Sequence, residues 1–202
     1  MKAIVLSRRN FREFDQVISF YSLSEGKLEV LARGVKKITS KNSSALEPGC
    51  LAEVEIIFGK DIKHLGSARI LEFYKNIRID LEKSLALKFV LGLFDKVVQV
   101  EEVDKSLFLL LKDWVEFLNI TNVILAEPEV REKIDLLLDI FIAKFLKILG
   151  FSNGNFLENL EFKDFDKQKF DKKLHSELYK SLVYNLDLKV NDWSSDLHIL
   201  AK

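Results

Sequence analysis

The apolar residues of this chain follow one period up to about residue 78 and another beyond it. No single layer of structure accommodates both. In the first part they alternate: Leu28, Val30 and Ala32 are interleaved with Glu29, Leu31 and Arg33, and Val54, Ile56 and Phe58 with Glu53, Glu55 and Ile57. A period of two places one set of side chains on one face of a β-strand. Ala3–Leu6 and Gln16–Leu23 are apolar runs rich in branched and aromatic residues, which also suit strands. Ser24–Lys27 and Gly59–Asp61 read as turns, and a last strand is expected over Lys63–Tyr74. Five strands with one longer basic connection suit a small barrel, whose closure hides the sheet edges.

From Ile79 onward the spacing becomes helical. Leu81, Leu85, Phe89 and Leu93 begin the pattern, and Leu107–Leu118 gives a second helix containing Trp114. A third begins with Pro128 in its first turn beside Glu127 and Glu129, acids that suit the positive end of a helix dipole. It runs through Ile134, Leu137, Leu138, Phe141, Phe145 and Ile148 and stops at Gly150, a natural residue just past a helix end. A fourth is expected over Lys167–Leu186, after a polar, phenylalanine-dotted stretch without clear period. The expected fold class is α+β in two domains, a five-stranded β-barrel at 1–77 and an all-helical bundle at 78–202.

Charge divides at the same place. Residues 1–78 hold 14 Lys and Arg against 9 Asp and Glu, net +5, whereas residues 79–202 hold 17 against 22, net −5. Such a split points to two modules with different partners. The single cysteine, Cys50, excludes an internal disulfide and a cysteine-rich zinc site. Two arginines interrupt the first apolar run too early for a signal peptide, and charges break the longest apolar region, Ile134–Leu149. A cytoplasmic setting is expected, with no membrane partner and no small-molecule substrate.

Enzyme signatures are absent: no phosphate-binding glycine loop, nucleophile elbow or zinc-protease helix motif occurs. His64, His175 and His198 lie in different elements and share no metal-ligand spacing. Cys50 falls on the same strand face as Val54 and is expected in the core. Asp135 and Asp139, one helical turn apart, are expected on a polar face opposite the apolar stripe. No catalytic residue, metal site or cofactor is expected.

The basic connection carries the clearest chemistry. Arg33, Lys36, Lys37 and Lys41 fall within nine residues with no acid between them, and Arg8, Arg9 and Arg12 cluster near the end of the first strand. Gly34 lets backbone approach a phosphate closely, and Thr39, Ser40 and Ser43 add hydroxyl donors. Such groups hold a nucleic-acid backbone without reading sequence. Phe11, Phe14, Phe20, Tyr21 and Phe58 are candidate stacking faces for unpaired bases, or else barrel core.

The order of these segments resembles the RecO recombination-mediator family of DNA repair proteins. The resemblance runs through A-I-V-L-S-R-R at Ala3–Arg9, F-R-E-F-D-Q-V-I-S-F-Y-S at Phe11–Ser22, E-G-K at Glu25–Lys27, and L-A-R-G-V-K-K at Leu31–Lys37. Leu46-Glu47-Pro48 is similar to the Leu-x-Pro that follows in the family, although Gly49 stands where an aromatic is usual. L-K-I-L-G-F at Leu146–Phe151 resembles the helix end before the family's zinc-binding insert. L-V-Y-N-L-D-L at Leu182–Leu188, continuing to Leu200, is similar to its last helix. The family's four-cysteine zinc knuckle has no counterpart, since Ser152–Asp166 lacks cysteine. The helices on either side are therefore expected to hold together by apolar packing alone.

The resemblance implies an OB-fold barrel and a non-catalytic protein that binds single- and double-stranded DNA. It implies annealing of complementary strands, assistance in loading recombinase on coated single strands, and two protein partners, RecR and the C-terminal tail of single-strand DNA-binding protein. The DNA-binding residues expected are Arg8, Arg9, Arg33, Lys36, Lys37 and Lys41. Two rival readings are a protein-interaction module whose basic loop docks an acidic partner, and a metal-dependent nuclease built on the helical carboxylates.

Overall fold

The computed structural model describes residues 1–37, 40, 43–60, 62–121, 127–152 and 154–188, with 127–130 as backbone only. Five strands come first: β1 Lys2–Asn10, β2 Gln16–Ser22, β3 Gly26–Ala32, β4 Leu51–Phe58 and β5 Lys63–Glu72. They close in the order β1-β2-β3-β5-β4, with β4 returning to β1 through Lys2↔Glu53, Ala3↔Ala52 and Ile4↔Leu51. This is an OB-fold barrel, and the chain is α+β because helices follow it. Its interior is filled by the alternating residues of each strand, among them Val5, Ile18, Phe20, Leu28, Val30 and Val54. Cys50 is buried in the same cluster. The thinnest seam is parallel β3–β5, which pairs at Leu31↔His64.

The helices are α1 Lys75–Arg78, α2 Leu81–Val97, α3 Lys105–Ile120, α4 Glu127–Ile148 and α5 Lys172–Asn185. The chain divides into two compact units, one of Met1–Lys75 with Leu87–Phe108 and one of Asn76–Ala86 with the described residues from Leu109 on. Among the described residues no helix is long and apolar enough to cross a membrane.

Residues 87–108 explain why β2 is buried on both faces. Ile18 and Phe20 point into the barrel, while Tyr21 points outward, its ring 5.5 Å edge-on from Phe94 and its hydroxyl donating to the Asp104 carbonyl at 3.2 Å. Burial pushes the Tyr21 hydroxyl up to about 12. A bulge in β1 between Val5 and Ser7 brings Ser7 opposite Ser19. Their hydroxyls donate to the two oxygens of Asp95, at 2.7 and 2.6 Å. Burial raises the Asp95 carboxyl, but those hydroxyls and the Lys27 ammonium outweigh it and hold it below its ordinary range.

In the second unit Trp114 is buried on α3, its ring 5.4 Å from Phe141 and its Nε1 donating to the Leu137 carbonyl at 3.2 Å. Helix α4 ends where its sequence says it should. Gly150 adopts φ 86°, its amide donates to the Lys147 carbonyl, and the Phe151 amide donates back to Leu146. This pairing satisfies the last carbonyls of a helix.

Three expectations are corrected in this unit. The fourth helix begins at Lys172, not Lys167, because the Asp171 side chain caps it, accepting from the amides of Lys173 and Leu174. The stretch before it forms two short 3₁₀ turns, Phe156–Asn159 and Phe162–Lys167. These are held by polar contacts as well as apolar ones. Phe165 meets the Phe117 ring edge-on at 5.4 Å, while Lys133 pairs with Asp166 at 2.8 Å and Lys147 donates to Asn159 at 2.7 Å. Finally, Asp135 and Asp139 are buried, not on a polar face, and Asp139 lies 2.7 Å from the His175 ring.

Candidate nucleic-acid interface

Two loops of the barrel unit flank the outer end of β2 and β3: residues 11–15 between β1 and β2, and the β4–β5 tip around Gly59–Ile62. Between them lies a groove of about 460 Å³. Its apolar lining includes Phe11, Val17, Leu31, Phe58 and Ile62, and its charged lining among the described residues is Glu29, Lys60, Lys63 and Glu101. Phe58 continues the alternation of Val54 and Ile56, but β4 has run past the packed interior by then, so its ring is 60% exposed. Phe11 is 51% exposed and Phe14 42%, because both sit on the turn and not on a strand. Rings this open are free to stack on planar ligands.

The basic connection is stitched to the first of these loops. The Gly34 amide donates to the Asp15 carboxylate at 2.8 Å, and the Lys36 amide to the Phe14 carbonyl at 3.1 Å. Lys37 closes a turn on Gly34 at 3.0 Å, and its ammonium lies 5.6 Å from the centre of the Phe14 ring. Gly34 has φ 63°, the left-handed conformation this turn requires. Arg33, Lys36 and Lys37 are exposed, and among the described residues no carboxylate pairs with any of them.

The other expected residues are placed differently. Arg8 lies within β1, its guanidinium donating to Glu47 and, at 2.9 and 3.1 Å, to Gln16. Arg9, also in β1, pairs with Glu29 at 2.6 Å and keeps an exposed side chain. Arg12 folds over the neighbouring Phe11 ring at 5.1 Å. Lys41 and Thr39 lie outside the described residues, as does His198. Of the five candidate stacking rings, Phe11, Phe14 and Phe58 are exposed; Phe20 and Tyr21 are buried.

Lys60, Lys63, Glu29 and Glu101 were not singled out by sequence. The first two had a signal, since F-G-K-D-I-K places two lysines among apolar residues at a hairpin tip. Glu101 had none: it reaches the groove because Val100 bridges to Lys27 of β3 and the Glu101 amide donates to the Lys27 carbonyl at 2.8 Å. Lys63 pairs with Glu101 and holds its carboxyl below the ordinary range. Among the described residues no three His, Cys, Asp or Glu side chains gather as a metal site requires.

The sequence comparisons bear on the same segment. The family model described as Recombination protein O N terminal matches residues 1–74, the barrel and its loops. The chain is 31% identical over 122 residues to the DNA repair protein RecO of Desulforamulus reducens, covering 60% of this chain and 48% of that protein. It is 33% identical over 95 residues to that of Syntrophomonas wolfei, covering 47% and 38%. With the RecO of Geobacter metallireducens it shares 29% identity over 150 residues, covering 74% and 57%. The chain spans about half the length of the curated relatives it matches. Residues 1–74 are thus similar to the N-terminal domain of Recombination protein O, and the chain is similar over part of its length to DNA repair proteins named RecO.

Proposed function

We propose that this protein is a DNA repair and recombination mediator that works by binding and not by catalysis. It takes up single- and double-stranded DNA, anneals complementary strands, and assists recombinase loading on coated single strands. The observation that carries the reading is the juxtaposition of an aromatic groove with a fixed cationic loop. Phe11 and Phe58 offer stacking faces, each worth about 1–3 kcal/mol per base. Arg33, Lys36 and Lys37 offer unpaired charge for the backbone, and Arg9 on β1 keeps an exposed side chain. Arg8 braces the barrel wall through Glu47 and Gln16. Annealing follows from charge: two strands repel until cations screen both, and bases held loosely on rings stay free to pair.

Its kinship with RecO proteins supports RecR and the tail of single-strand DNA-binding protein as protein partners, and a bacterial cytoplasmic setting. The test is a titration of purified protein into a fluorescent unpaired oligonucleotide at rising salt. Binding is expected, with log affinity falling by about 0.7 per decade of salt for each phosphate contacted. Absence of binding at low salt would overturn the reading and favour a loop that docks an acidic protein.

A further inference from the structure

The groove is not an electropositive channel, and that bears on what it accepts. Among the described residues four charges line it, Lys60 and Lys63 against Glu29 and Glu101, and these cancel. Two cations at its edge are already engaged: Arg9 with Glu29 at 2.6 Å, and Lys63 with Glu101. The two carboxylates come from separate elements, Glu29 from β3 and Glu101 from the segment after α2. Glu101 is fixed in place, with φ 66° and its amide bound to the Lys27 carbonyl. A phosphate entering here meets two anions and must break an ion pair to reach Arg9 or Lys63, which leaves Lys60 as the lining cation without an ion pair among the described residues. A neutral base meets the exposed rings of Phe11 and Phe58, each of which has one cation over it, Arg12 at 5.1 Å and Lys63 at 6.0 Å. Arg33, Lys36 and Lys37, which have no acidic partner among the described residues, stand outside the groove lining.

We infer that Glu29 and Glu101 are specificity-determining residues that bar phosphate from the groove and reserve it for unpaired bases, leaving the backbone to the loop of Arg33, Lys36 and Lys37. The inference rests on the DNA-binding reading above and adds to it a direction, bases inward and phosphates outward. A duplex, whose bases are stacked and whose outer surface is phosphate, is then excluded from the groove and held by the loop alone. A polyanion without bases, such as inorganic polyphosphate, is held in the same way.

The test compares wild type with the E29Q/E101Q double variant on three probes: an unpaired oligonucleotide, a duplex of the same length, and inorganic polyphosphate. Freeing Arg9 and Lys63 is expected to strengthen duplex and polyphosphate binding more than single-strand binding, so the single-to-duplex affinity ratio falls several-fold. The duplex salt slope is expected to steepen by about 0.9 for each phosphate newly admitted. K63Q, which leaves Glu101 unopposed, is expected to act in the other direction, weakening polyphosphate binding. Both carboxylates are exposed, so the fold survives their substitution, and circular dichroism checks it. An unchanged ratio and slope in the double variant, with wild type binding single strands normally, overturns this inference alone. Failure of wild type to bind single strands overturns the proposed function and this inference with it.

Discussion

The Lys27 ammonium lies 3.4 Å from the Asp95 carboxylate, with only 7% of the lysine side chain exposed. It also donates to the carbonyls of Asp95 and Val98, so one lysine ends the residues from α2 against the barrel wall. Asp95→Ala leaves that ammonium without its counter-charge and is expected to cost about 3 kcal/mol. The folded pKa of Asp95 lies below its unfolded value, so its contribution is present above about pH 4 and is lost as pH falls through the folded value. Urea unfolding of wild type and variant is expected to differ more at pH 7 than at pH 3. A constant difference at both would contradict this.

Two glycines with the same backbone sign are expected to respond differently to alanine. Gly26 has φ 64°, and a Cβ there would stand 2.1 Å from the Glu102 carbonyl oxygen. Gly34 has φ 63°, but its nearest neighbour would be the flexible Lys37 side chain at 3.6 Å. Gly34→Ala therefore costs the left-handed conformation alone, about 1–2 kcal/mol. Gly26→Ala adds a backbone displacement and costs clearly more. Paired denaturation curves check the order.

Asp135 is buried on α4, and burial pushes its carboxyl up to about 6. Arg131, His175, Asp139 and Glu82 all act on it. Its folded pKa exceeds its unfolded one, so the folded state holds the extra proton and stability falls as pH rises from about 4 toward 6. Asp135→Asn removes this dependence and is expected to add on the order of 2 kcal/mol at pH 7. The difference between wild type and variant, measured at pH 5 and 7, isolates Asp135 from its neighbours. A larger gain at pH 5 would contradict the account.

The turns at Phe156–Asn159 and Phe162–Lys167 lie in the cysteine-free stretch after α4, where no metal site is expected. Phe165 is buried against Phe117. Phe165→Ala is expected to cost about 3 kcal/mol. Treatment with a chelator is expected to leave the thermal midpoint unchanged. A chelator-induced drop would show that this segment depends on a metal.

Much of this fold was legible because its signals are local. Alternation at Leu28–Arg33 and Glu53–Phe58 marked β3 and β4, and Gly150 marked the end of α4. The alternation could not tell Phe20 from Phe58, since both fit an inward face and only the point where β4 outruns the core separates them. Lys27–Asp95, Arg8–Glu47 and Lys63–Glu101 were illegible for another reason. Each joins residues 38 or more apart, Arg8 and Glu47 within the barrel and the other two through the packing of residues 87–108 against it. The buried Asp139–His175 pair is of the same kind: a helical wheel places Asp139 opposite an apolar stripe, and only α5 covers it.

The account turns on the loop of Arg33, Lys36 and Lys37, and one measurement tests it most directly. Annealing of two complementary labelled strands is followed with wild type and with the R33A/K36A/K37A variant, folding being checked in parallel. These side chains are exposed, and among the described residues no carboxylate pairs with them, so the variant is expected to fold normally. Its salt slope for single strands is expected to be shallower by about 2 units, for three lost phosphate contacts at about 0.7 each. Its annealing rate is expected to drop well below that of wild type. Equal annealing by the two proteins would contradict the account.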